Sequence, residues 1–210
     1  SGRVRAGKRD MSFGELTHEA YMSRVSLSAT GYYRTPKIQW DRATGRGRPF
    51  FYYSYGAAVS EAAIDALTGE NRILRVDILH DCGCSLNPAI DLGQIEGGFM
   101  QGMGWLTTEE LWFDDKGALR THAPSTYKIP VAGDRPEVPI ALWNGENPEE
   151  AIYRSKAVGE PPLMLAISAF CAIGDAIASV GDHKIPPRLD APATPERVLT
   201  AVRRVQEAAR

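Results

Sequence analysis

The sequence predicts a mixed α and β fold, the α+β class, in which strands and helices do not alternate strictly. Three observations carry this. Phe50 to His80 reads as two extended runs around a turn, the pattern of a β-hairpin. Asn87-Pro88 opens a helix whose interior is rich in glycine. Leu163 to Ile173 is almost uninterruptedly apolar, as in a helix buried on most sides. A hairpin sheet packed with a glycine-rich helix and an apolar helix, without repeated βαβ units, defines the class.

Taken in order, Ser1 to Asp10 is polar and expected to be irregular. Ser12-Phe13-Gly14-Glu15 has capping-box form, with Met11 and Leu16 placed as a hydrophobic staple, so a helix is expected to run to about Arg24. Thr30 to Pro36 reads as an irregular or edge segment, and Gly45 to Pro49 as a turn or loop. Phe50 to Leu67 and Arg72 to His80 are the expected hairpin strands. Alternation puts Ile73, Arg75, Asp77 and Leu79 on one face and Leu74, Val76, Ile78 and His80 on the other.

The helix after Asn87 carries Gly93, Gly97, Gly98, Gly102 and Gly104. Each costs up to about 1 kcal/mol relative to alanine, so something must use the bare backbone: another helix or a ligand. Asp114 to Gly117 is a turn and Ala118 to Thr121 a strand. Ile140–Trp143 and Ile152–Tyr153 are short strand candidates. The apolar helix is expected to end near Gly181. Thr194-Pro195-Glu196 opens a last amphipathic helix with Val198, Leu199, Val202 and Val205 on its apolar side.

Charge narrows the partners. Lys and Arg number 24 against 26 Asp and Glu, a net charge of −2, which gives no reason to expect nucleic acid or an anionic membrane. The apolar run at Leu163 is too short to span a bilayer. Three cysteines, an odd number, argue against a disulfide framework and for a reducing cytoplasm. His80, Cys82 and Cys84 lack zinc-site spacing and no second pair follows, so no metal site is expected there. Lys128 and Lys156 are expected to be structural, held by carbonyl or carboxylate contacts.

The chain is organised around Ser155-Lys156-Ala157-Val158-Gly159-Glu160-Pro161-Pro162. A proline fits the first helical turn, and the residue before it is biased towards extended geometry. Glu160 is therefore expected just outside the helix. The helix dipole favours its ionised form, apolar surroundings the neutral one. An ordinary cap and a tuned general base both fit.

Several blocks together resemble the xanthine dehydrogenase family of molybdenum hydroxylases. They are Ser26 to Pro36, Ser85 to Gly102 with its Gln94-Ile95-Glu96-Gly97, Pro124 to Pro130, Ser155 to Leu163 with its Gly159-Glu160-Pro161-Pro162, and Arg188 to Glu196. They stand in family order and cover nearly the whole chain from Met11 onward. A set this long is specific where any one block is weak.

The resemblance implies the C-terminal half of the molybdenum-cofactor-binding domain: a polar segment at 1–10, then that domain over 11–210. It implies that Glu160 is the catalytic base and that Gln94 and Gly159 lie against a molybdenum–molybdopterin cofactor. The implied reaction is oxidative hydroxylation of hypoxanthine or xanthine to urate, with electrons leaving through Fe–S clusters and FAD to NAD on other parts of the enzyme. An aldehyde or another N-heterocycle is the alternative substrate, and a non-catalytic assembly domain the alternative role. The implied partners are the remaining domains or subunits, which carry the other cofactor contacts and the grip on the purine. The chain alone is expected to be inactive and to self-associate through exposed apolar faces.

Overall fold

The computed structural model describes residues 2–209. Ser1 and Arg210, the outer ends of the two expected segments, lie outside them. The chain forms two compact units, one up to Phe51 and one from Tyr52 onward.

In the first unit the polar N-terminal residues are not irregular. Strand β1 (Arg3–Ala6) pairs antiparallel with β2 (Arg9–Ser12). The two-residue loop between them has Gly7 at φ 59°, the conformation tight hairpins need. Arg3 and Arg5 both reach Asp10, at 2.9 and 3.3 Å, so the charge run neutralises itself locally. Helix α1 (Phe13–Met22) then starts with the expected capping box: the Glu15 amide donates to Ser12 Oγ at 3.1 Å, and the Ser12 amide to Glu15 Oε2 at 2.7 Å. Strands β3 (Gln39–Asp41) and β4 (Arg46–Arg48) form a second small hairpin where a loop was expected. Gly47 lies opposite Trp40, where a Cβ would collide with the Gln39 carbonyl.

The second unit is built on a three-stranded sheet in the order β5-β6-β7. Strand β5 (Gly56–Ile64) is antiparallel to β6 (Asn71–His80), and β7 (Ile140–Leu142) joins β6 in parallel. Strand β5 is shorter than the expected Phe50–Leu67. Its alanines Ala58 and Ala62 are half-buried and pack against the core, and Ser60 Oγ meets Ser168 Oγ at 2.8 Å.

The register shifts between Glu61 and Ala62, which pair with Arg75 and Ile73 and leave Leu74 unpaired. This bulge corrects the expected faces: Ile73 is buried with Val76, Ile78 and His80, while Leu74 turns to solvent. One extra residue reverses the alternation on one side of it.

Helix α2 (Pro88–Thr107) is capped by Asn87, whose Oδ1 accepts from the Ile90 amide. Ile152–Arg154 is a tight 3-10 turn instead of the expected strand, with Tyr153 and Arg154 at φ 50° and 58°. The apolar helix opens as a 3-10 segment, Pro161–Ala166, and continues as α3 (Ile167–Ser179). Helix α4 (Pro195–Ala208) closes the unit. Ile95, Phe99 and Met103 of α2 join Ala169, Ile173 and Ile177 of α3 and Val198, Val202 and Val205 of α4 in one core with the sheet. By length and composition alone Pro161–Ser179 is long and apolar enough to cross a membrane. Here Ala166, Ala169, Ile173 and Ile177 give it a core-facing stripe.

Candidate functional site

Helix α2 and the Pro161–Ala166 segment run side by side in the same direction. A Cβ on Gly98 would touch the Pro162 Cβ at 3.0 Å and the Leu163 amide nitrogen at 3.3 Å. One turn on, a Cβ on Gly102 would collide with the Leu163 carbonyl and stand 2.8 Å from the Ala166 Cβ. One turn earlier on the same stripe is Gln94, and its Oε1 lies 3.6 Å from the Cβ position of Gly159. The glycine stripe therefore sets a backbone-to-backbone approach that brings Gln94 beside Gly159-Glu160. Around Gly93 and Gly97 there is open space. The helix thus has two glycine faces, one packed on protein and one bare.

Gln94, Gly159 and Glu160 are all exposed. Glu160 precedes Pro161 in the helical region of the backbone, φ −103° and ψ −39°, and its side chain caps nothing. This corrects the expected extended geometry and removes the ordinary-cap reading: a tight 3-10 start leaves the carboxylate no amide to accept from.

The segment before Glu160 is held from several sides. The Arg154 carbonyl accepts from the amides of Cys84 and Asn147, both at 3.0 Å, and the Ser155 carbonyl from Asn147 Nδ2 at 3.0 Å. The Lys156 amide donates to the Cys82 carbonyl at 2.7 Å. The Ala157 amide donates to the Tyr52 hydroxyl at 2.9 Å, and its carbonyl accepts from Ser54 Oγ at 2.8 Å. Gly83 is needed where this strap crosses it: its φ is 62°, and a Cβ would collide with the Arg154 carbonyl. Sequence reasoning missed Asn147, Tyr52 and Asp81. Tyr52 and Asp81 lie far along the chain from the residues they hold, and Asn147 reaches the strap only because the loop between them folds back.

Lys156 is structural as expected, its Nζ 2.5 Å from Asp81 Oδ2. Lys128 is exposed and lines a separate cleft of about 740 Å³ with Met103, Thr107 and Asn71. Among the described residues no group of three or more His, Cys, Asp or Glu side chains is arranged to hold a metal. Cys82 is buried, and burial, reinforced by the nearby Asp91 carboxylate, pushes its thiol pKa up. His80 is buried too, with neither ring nitrogen hydrogen-bonded to another described residue.

The class these features define is an α+β domain with an open surface on which a primary amide meets the backbone just before an exposed carboxylate, next to a bare glycine face. A pterin-type cofactor fits such a surface. The amide can both donate and accept, and backbone without side chains admits a flat extended group.

Residues 1–136 match the molybdopterin cofactor-binding domain, and the chain belongs to that family. It is 53% identical over 189 residues to xanthine dehydrogenase/oxidase of Rattus norvegicus, covering 87% of this chain and 14% of that protein. It is 48% identical to aldehyde oxidase 2 of Macaca fascicularis, again over 87% of this chain and 14% of the relative. Among solved structures, aldehyde oxidoreductase from Desulfovibrio gigas superposes with a TM-score of 0.68 at 30% identity, over 89% of this chain and 20% of that one. The chain therefore spans about one-seventh of the curated relatives it matches.

Proposed function

We propose that this chain is the C-terminal part of the molybdopterin-binding portion, residues 11–210, of a cytoplasmic xanthine dehydrogenase. The proposed reaction is oxidative hydroxylation of hypoxanthine and xanthine to urate. What supports the reading is the juxtaposition of Gln94 with Gly159-Glu160, in a chain 53% identical to a xanthine dehydrogenase/oxidase.

When bound, the molybdenum–pterin cofactor supplies the two-electron redox chemistry, and Fe–S clusters, FAD and NAD on other parts of the enzyme carry the electrons away. This chain's residues supply the base and part of the cofactor's setting. Glu160 is the general base: its carboxylate is exposed, caps nothing and follows a tethered segment, so it can take a proton without losing a structural bond. The Gln94 amide orients polar edges of the cofactor, donating and accepting from the end of the packed glycine stripe, next to the bare face of Gly93 and Gly97. Gly159 keeps the space between them open. The grip on the purine and the remaining cofactor contacts come from partner domains, so the chain alone neither holds cofactor nor turns over.

An aldehyde-oxidising enzyme is the second reading, favoured by the 48% identity to an aldehyde oxidase. Isolated, the chain should self-associate, because Trp105, Leu111, Trp112 and Phe113 are all exposed. Light scattering showing a monomer at high concentration contradicts that.

The test of the whole reading is Glu160→Gln in the full-length enzyme, assayed with xanthine and with an aldehyde. Molybdenum content should be unchanged and turnover should fall by about 10²–10⁴-fold. Near-normal turnover removes Glu160 from the mechanism. Preference for the aldehyde in the unsubstituted enzyme selects the second reading.

A further inference from the structure

The Lys156 side chain is 4% exposed and its Nζ lies 2.5 Å from Asp81 Oδ2, on a side chain 15% exposed. The same ammonium sits 5.1 Å from the centre of the Tyr55 ring. Asp81 directly follows strand β6, and its amide donates to the Tyr55 carbonyl at 2.8 Å. The pair thus ties the segment leading to Glu160 to the end of the sheet. A buried ion pair is weak evidence for stability; its better-attested use is to fix a register.

Residues 154–157 are held largely through backbone groups, and backbone donors and acceptors recur at every residue. Such a strap can slip by two residues and keep its faces. A buried ammonium cannot slip, because moving it leaves two charges unpaired. Beyond Ala157 the hydrogen-bond tethers stop, and Val158 is held only by apolar packing against the core. Val158 and Gly159 make no hydrogen bond to another described residue, and order resumes where the Leu163 amide donates to the Glu160 carbonyl at 3.2 Å. Where the strap ends decides where Gly159 and Glu160 stand.

We propose that Lys156 is a positioning residue. Its buried pairing with Asp81 selects the one register of the strap that sets Gly159 against Gln94 and leaves the Glu160 carboxylate facing outward. Its effect on turnover rests on Glu160 being the base; its effect on register does not.

The experiment uses the full-length, cofactor-loaded enzyme with Lys156→Met, Lys156→Arg and the double variant Asp81→Asn/Lys156→Met. The double variant leaves no unpaired buried charge, so it folds even where Lys156→Met alone does not. Hydrogen exchange is followed at the two hydrogen-bonded amides of the stretch Ala157 to Leu163, those of Ala157 and Leu163 themselves, with those of Ile173 and Ile177 as the core reference. In the double variant, exchange at Ala157 and Leu163 should rise while the core reference stays put. Turnover should fall about tenfold to a hundredfold, as for a misplaced catalytic group, with KM and molybdenum content nearly unchanged. Lys156→Arg keeps the charge and should recover much of both. Unchanged exchange at Ala157 and Leu163 in the double variant overturns the proposal. Raised exchange with unchanged turnover upholds the register role and counts against Glu160 as the base.

Discussion

Gln94 Oε1 stands 3.6 Å from the point where a Cβ on Gly159 would be. The two residues are 65 positions apart in the chain, 159 − 94, and the close packing of Gly98 and Gly102 on Pro162, Leu163 and Ala166 brings them together. The distance is ordinary van der Waals contact, so the space between amide and backbone is narrow but not filled.

Gly159→Ala separates folding from cofactor binding. Gly159 does not have positive φ, and its added methyl meets nothing closer than Gln94. Stability should therefore change by less than about 1 kcal/mol, with any gain coming from a stiffer unfolded chain. The methyl intrudes on the surface proposed to face the cofactor, so metal analysis of the full-length variant should show reduced molybdenum. Full loading would show that this surface is not in contact with the cofactor.

The two glycine faces of helix α2 should respond oppositely to alanine. Gly97 has open space around it, and Gly97→Ala should stabilise by up to about 1 kcal/mol through helix propensity. Gly102 is closed off by the Leu163 carbonyl and the Ala166 methyl, and Gly102→Ala should destabilise by about 1–3 kcal/mol through overpacking. Thermal unfolding of the two variants checks the contrast. Equal effects would mean that the two stripes are not differently packed.

Asn147 is fully buried, bonds the strap twice and braces its own turn once. Its amide donates to the Arg154 carbonyl, its Nδ2 to the Ser155 carbonyl, and its Oδ1 accepts from the Glu149 amide, all at 3.0 Å. Asn147→Ala removes both side-chain bonds and leaves the Ser155 carbonyl without this donor. A loss of about 1–3 kcal/mol is expected in chemical unfolding, and a loss within experimental error would mean that water replaces the amide.

His80 makes stability depend on pH. The side chain is 1% exposed and neither ring nitrogen has a hydrogen-bond partner among the described residues. Burial lowers its pKa from 6.5, opposed by Asp81 and Asp91 and aided by Lys156. Between that lowered value and about 6.5 the unfolded chain binds a proton that the folded chain refuses, so stability falls as pH drops through this window. His80→Leu removes the titrating group. Its unfolding free energy should be flatter with pH just below about 6.5 than that of the parent chain. Parallel curves would acquit His80.

Local chemistry made much of the fold readable. The Ser12–Glu15 capping box, the Asn87-Pro88 helix start, the hairpin and the amphipathic α4 each depend on residues within a few positions of one another. The errors share a different cause. Ile73 changes face because Leu74 bulges against a partner strand, and β3 pairs with β4 although each is only three residues long. Ile152–Arg154 turns instead of extending, with its end tethered to Cys84 and Asn147.

The candidate site divides along the same line. Glu160, Gln94 and Gly159 could be named from the sequence because two short motifs carry them, and the glycines announced a close approach. Which glycines would be packed and which left bare depended on the path of Pro161–Ala166 along α2. The sequence by itself determined the fold class and the helix starts, because propensity, capping and periodicity act over a few residues, while the candidate site residues came from its resemblance to a family. Only the tertiary structure decided that Gln94 meets Gly159, that Lys156 is buried against Asp81 and that Asn147 pins the strap. The first two pairings are far apart along the chain and exist only once the sheet and helices have closed around one core, and the third needs the 147–155 loop folded back on itself.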